Sequence, residues 1–148
     1  MSHDKALNTK SMPKNIEDKQ MQTVTVEWRH LDKDGETCDR CAETGSGIKE
    51  LVQQLDAECR PRGVQIEFIE TRLDASEIGQ SNLVLINGVA LEEILPRTEV
   101  SASPCCSCGE LIGKETSCRT IVRFGQVHEA IPQHLVREAI CAVARCCG

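Results

Sequence analysis

Tyrosine is absent from this chain, and aromatic residues make up only 2% of it. Aliphatic side chains must therefore fill the core, and base stacking on exposed rings is a poor fit to the composition. Positive charge is also short: Lys and Arg number 17 against 23 Asp and Glu, a formal net charge of -6. That balance argues against nucleic acid and anionic membrane as partners. No apolar run approaches the roughly 18 residues of a membrane-spanning helix. Residues 1–22 are polar, rich in Lys, Asn, Asp and Gln, and lack the apolar stretch of a secretory signal. They are expected to be a disordered tail ahead of one domain over residues 23–148, and the expected location is the cytoplasm.

Cysteine is what the chain has in excess, with ten in 148 residues. Cys38 and Cys41 form a C-x-x-C, Cys105, Cys106 and Cys108 crowd together, Cys118 follows, and Cys146 and Cys147 lie next to the last residue. Cytosolic thiols stay reduced, so such clusters point to redox or metal chemistry rather than to stapling.

The pattern between the cysteines predicts an α/β domain. Val24, Val26 and Trp28 alternate with polar residues, as in a half-buried strand. Ile48, Leu51, Val52 and Leu55 recur at helical spacing. Gly45 and Gly47 weaken that helix, which starts either at the cysteines or afresh at Ser46. Residues 64–72 form a second strand, and residues 74–80 a turn or one loose helical turn. The apolar run 83–86 reads as a central strand. Asn87-Gly88 is the strongest hairpin signal in the chain, with residues 89–94 returning as the partner strand. Residues 96–104 read as a loop, and 119–124 with 127–131 as a small hairpin. Pro132 opens a final helix whose apolar face is Leu135, Val136, Ala139, Ile140 and Val143. Strand, helix and strand at the start make a β-α-β unit, which would be parallel and right-handed.

A redox pair needs a thiolate nucleophile and a second thiol to resolve the mixed disulfide. At a helix N-terminus Cys38 would be the nucleophile, its thiolate favoured by the helix amides, and Cys41 the resolving thiol. Arg40 would support that thiolate and Asp39 oppose it. The competing reading is two structural cysteines in an inert turn. Cys105, Cys106, Cys108 and Cys118 supply enough thiols for a tetrahedral zinc site, although C-C-x-C with a lone cysteine departs from paired C-x-x-C knuckles. Soft thiolates also suit Cu(I), and by the same reasoning Hg(II) and As(III). The alternative there is a surface loop with packed or bridged cysteines. Adjacent cysteines are poor internal disulfides, because their Cα atoms lie about 3.8 Å apart. Cys106 or Cys108 pairs more easily with Cys118. Cys59 and Cys141 read as packing residues, and Cys146 with Cys147 as an exposed thiol end. His128 is a candidate extra ligand, better explained as an exposed strand histidine. His30 precedes the C-x-x-C, where influence on Cys38 is a weak alternative, and Glu92-Glu93 reads as a solvated strand end.

Taken in order, Cys38-Asp39-Arg40-Cys41, residues 83–88, the second cysteine group, Ser117-Cys118-Arg119-Thr120 and Glu129-Ala130-Ile131-Pro132 resemble the thioredoxin-like superfamily. More closely, the series is similar to the domain of unknown function 2703 family, over roughly residues 24–144. The resemblance implies a thioredoxin-like mixed β-sheet with helices, here with a cysteine-rich loop at 104–118 inserted before the last helix. It also implies a cis proline facing the C-x-x-C. Ser81 or Asn82 stands there instead, in the place that docks substrate chains, and without proline a trans bond is expected. That change disfavours general disulfide reduction and favours metal capture by Cys38 and Cys41.

Two functions follow. One is thiol–disulfide exchange at Cys38 and Cys41 with a small thiol or a protein disulfide partner, needing no cofactor; as an enzyme, the chain would be a thiol–disulfide oxidoreductase. The other is binding or carriage of zinc, copper, mercury or arsenic by the clustered cysteines. A third combines them, with redox change at one cluster releasing metal from the other.

Overall fold

Val24, Val26, Trp28 and His30 all turn to one side of the first strand and are buried there, while Thr25, Glu27 and Arg29 face the other side. This strand, β1 (Gln22–Leu31), belongs to a computed structural model that describes residues 21–147, apart from the side chain of Cys106. Residues 1–20 of the expected tail lie outside the described residues.

Helix α1 (Asp39–Cys59) starts at the C-x-x-C and runs through both glycines. Of the two starts open in the sequence, the first holds, and the helix keeps a glycine in its interior for a steric reason. Gly45 faces Trp28, and a methyl group there would overlap the indole. A 3₁₀ turn (Arg60–Arg62) and Gly63, at φ 81°, end the helix. Strand β2 (Val64–Leu73) then returns parallel to β1 along its whole length, as expected of the β-α-β unit.

After a 3₁₀ segment (Ala75–Gln80) come β3 (Leu83–Ile86), antiparallel to β1, and β4 (Val89–Ala90). Asn87 and Gly88 both adopt positive φ, 52° and 81°, as a tight two-residue hairpin requires. The sheet order is β2-β1-β3-β4. The expected partner strand over 89–94 stops early. Ala90 caps the short helix α2 (Leu91–Ile94), which buries Leu91 and puts Glu92 and Glu93 in its first turn.

The second sheet, β5-β6-β7, is antiparallel. The expected loop at 96–104 is instead largely β5 (Thr98–Pro104), paired throughout with β6 (Ser117–Arg123). Pro104 is the last residue of that edge strand, where a missing donor costs little. Helix α3 (Cys106–Ile112) lies between them. The small hairpin forms as expected but with a shorter return, β7 (Gln126–His128), turning at Phe124 and Gly125. Helix α4 (Gln133–Ala144) has Pro132 as its N-cap and buries Leu135, Val136, Ala139 and Ile140. It touches α1, β1 and β3, so both long helices cover the buried face of the first sheet.

Two ion pairs tie the second sheet to the first layer. Arg123 donates from both Nη atoms to Glu138 on α4, each at 2.8 Å. Arg119 on β6 pairs with Glu92 on α2, so Glu92 is no solvated strand end.

Cys59 and Cys141 do more than pack: disulfides join Cys59 to Cys146 and Cys141 to Cys147. Vicinal pairing is avoided, since each member of the terminal pair bridges to a different helix residue. Among the described residues no helix is long and apolar enough to cross a membrane.

Candidate metal centre

Cys38 is the N-cap of α1, in extended conformation, and Cys105 is the N-cap of α3. The two helices begin side by side. The Asp39 N–H donates to Ser107 Oγ at 2.8 Å across 68 positions of sequence. Arg40 bonds the Pro104 carbonyl, one residue before Cys105. From the other side, Cys105 N–H donates to the Thr116 carbonyl at 2.8 Å, drawing the start of β6 close.

These bonds bring Cys38, Cys105, Cys108 and Cys118 together. Their four sulfurs all lie within 4.8 Å of one another, and all four residues are buried. A tetrahedral tetrathiolate with metal–sulfur bonds of about 2.3 Å has sulfurs about 3.8 Å apart, so the donor set fits such an ion. Cys118 Sγ is 3.2 Å from Cys108 Sγ as a free thiol pair.

One sulfur of the group is poised as a thiolate. Hydrogen bonds from Cys108, Cys118 and then Cys41 hold the Cys38 thiol far below its ordinary range, against the opposing effect of burial. The consequences fall on its neighbours. Cys108 is pushed up by its bonds to Cys118 and Cys38 and by burial. At Cys118 the Cys108 bond works downward, but Cys38, burial and Cys105 outweigh it and leave the thiol at about 12. In energetic terms four packed thiols favour one shared negative charge and resist further ionisation unless a cation compensates it.

Cys41 is not one of the four. Its Sγ lies 3.2 Å from Ser81 Oγ, and its thiol is pushed up, first by the bond to Cys38 and then by burial. Ser81 also accepts the Leu31 N–H, at 3.1 Å. Asn82 accepts from Trp28 Nε1 at 3.1 Å and donates to Thr44 Oγ1 at 3.1 Å. Both side chains are buried and directed into the protein, and no described peptide bond is cis. Cys38 and Cys41, expected as a redox couple, are both fully buried.

The other sequence candidates separate from the centre. His128 is not among the clustered ligands. His30 is buried, stacked on Trp28 at 3.8 Å, with Nε2 2.7 Å from Glu70. Cys106, expected as a ligand, has its side chain outside the described part. What sequence reasoning missed is that Cys38 completes the later group. No local spacing carries that signal; only the count of three well-placed thiols plus a distant C-x-x-C hints at it.

The chain is 35% identical over 118 residues to an uncharacterized protein of Archaeoglobus fulgidus, covering 76% of this chain and 82% of that protein. No solved structure matches the chain. The family Domain of unknown function (DUF2703) matches residues 24–140, from the first strand to the last helix and across all four clustered cysteines, and the chain belongs to that family.

Proposed function

We propose that this protein binds a zinc-class or softer metal ion through Cys38, Cys105, Cys108 and Cys118. The observation that carries the reading is the set of four buried sulfurs within 4.8 Å of one another. Four thiolates from one chain leave no open coordination position, the mark of sites that hold an ion rather than use it catalytically. A bound ion would supply the positive charge that the crowded thiols lack. The chain's own residues do the rest. The α1 N-terminus favours a Cys38 thiolate, and Arg40, buried beside Pro104, adds a cation at the rim. Cys105 also borders an open hollow lined by Gly109, Lys114 and Thr116.

A second reading is thiol–disulfide exchange at Cys38 and Cys41 on a thioredoxin-like scaffold. The β-α-β unit, the C-x-x-C at the start of its helix and the contact between the two sulfurs favour it. The burial of both thiols and the recruitment of Cys38 into the four-sulfur group weigh against it.

Elemental analysis of protein purified without air or chelator separates the two. One metal ion per chain is expected, lost in Cys118→Ser and kept in Cys41→Ser, with no disulfide-reductase turnover. No metal bound after loading with zinc, copper, mercury or arsenic would sink the metal reading. Turnover abolished by Cys41→Ser would establish the redox one.

A further inference from the structure

The far end of α1 carries a second group of sulfurs. The helix has 21 residues, so at about 1.5 Å per residue its ends lie about 30 Å apart. Cys59 closes it. Past α4, Arg145 adopts φ 58°, turning the chain so that Cys146 and Cys147 return toward the two helix ends. The sulfurs of Cys59, Cys146 and Cys147 all lie within 4.8 Å of one another, and Cys141 is bonded to Cys147. Two disulfides thus form one cluster. The Cys59–Cys146 bridge spans 87 positions and constrains the unfolded chain, whereas Cys141–Cys147 spans six and constrains it less. The returning chain is held by Arg62, whose Nη1 donates to the Cys146 carbonyl at 3.2 Å.

We infer that Cys59, Cys141, Cys146 and Cys147 form a redox-gated second metal site, closed as two disulfides and opened by a dithiol reductant into four thiolates for zinc or a softer cation. Cys141 and Cys147 are half-buried, while Cys59 and Cys146 are buried, so reduction starts at the outer bond. A reductant thiolate attacks Cys141 Sγ, and Cys147 leaves as a thiolate. The second reductant thiol then closes the reductant's own disulfide and releases Cys141. Cys147 next attacks Cys59 Sγ: the Cys59–Cys147 bond forms, Cys59–Cys146 breaks, and the electron pair stays on Cys146. Attack on Cys146 itself is disfavoured by the spacing of adjacent residues. This exchange carries the buried disulfide outward, where a second dithiol removes it. Two dithiols become two disulfides, and the protein gains four electrons and four protons. Binding of a divalent ion by the four thiols then releases the four protons.

The test measures zinc per chain on the full-length protein, with and without prior treatment by dithiothreitol, loaded without air. Reduction is expected to add one zinc per chain in the wild type and in Cys108→Ser/Cys118→Ser, and none in Cys141→Ser/Cys147→Ser. Mass spectrometry after alkylation keeps the test independent of how those variants fold. Reduction of the wild type should expose four further thiols, and zinc should protect those four. Zinc uptake unchanged by reduction, an equal second zinc without reduction, or four new thiols that zinc leaves reactive would each overturn the inference. A reduced wild type that gains its single zinc only here would sink the first centre and leave this one standing.

Discussion

Gly45 sits inside a helix, where glycine ordinarily costs about 0.5–1 kcal/mol relative to alanine, because the space its side chain would need is filled by Trp28. That ring cannot move aside cheaply. It is stacked on His30 at 3.8 Å, and its Nε1 donates to the buried Asn82. Gly45→Ala gains helix propensity and loses packing, and overpacking a filled core costs about 1–3 kcal/mol. The net expectation is a loss of about 1–2 kcal/mol, read as a lower urea midpoint with an unchanged slope. An unchanged or raised midpoint would mean that the indole does not press on α1. Asn82 holds its place by a similar logic: at φ 69° it tolerates the left-handed region better than most residues, and its amide serves both Trp28 and Thr44.

Between elements, the bond from β6 to α4 is electrostatic and therefore pH-dependent. Hydrogen bonds from Arg123 hold the Glu138 carboxyl below its ordinary value of 4.5, against a smaller effect of burial. A carboxyl whose folded pKa is depressed stabilises the fold above its unfolded value and loses that contribution as pH falls through the folded one. Glu138 is half exposed, so Glu138→Gln is expected to cost only about 0.5–1 kcal/mol near neutral pH. The deficit against the wild type should shrink as pH falls below 4.5. Denaturation of both proteins at each pH checks this, and a deficit that ignores pH would show the loss to be one of packing. Sequence made such elements legible to unequal degrees. Alternation in β1, the Asn87-Gly88 turn and the apolar face of α4 were each written locally. Strand β5 was not, because Ser101, Ala102, Ser103 and Pro104 carry no apolar alternation, and pairing with β6 makes them a strand. The centre divided likewise. Cys105, Cys108 and Cys118 announced themselves by crowding, whereas Cys38 joins them only because Asp39 and Arg40 bond across to Ser107 and Pro104. The disulfides were unreadable, since their partners are fixed by where two helices end.

At the scale of the whole molecule, the four clustered cysteines come from the start of α1, both sides of the turn into α3, and the start of β6. An ion held by them would cross-link the two sheets. Besides the ion pairs at Arg119 and Arg123, the bond from Arg40 to Pro104 and the buried Ile121, the second sheet has little to hold it. Strand β5 is mostly exposed, the sheet has three strands, and Val100, Phe124 and Val127 are left in solvent. A small sheet with so little buried apolar surface is marginal without a staple. The first sheet differs, because Val24, Val26, Ile66, Val84 and Ile86 are buried beneath the helices. Removing the ion should therefore loosen one sheet and spare the other. Amide hydrogen exchange with and without chelator is expected to show lost protection in Thr98–Pro104 and Ser117–Arg123, with β1 and β3 unchanged. Return of protection on adding zinc should follow the same boundary. Equal loss in both sheets would instead assign the ion to the stability of the whole domain, and no loss in either would leave the ion pairs at Arg119 and Arg123 sufficient to hold the second sheet in place.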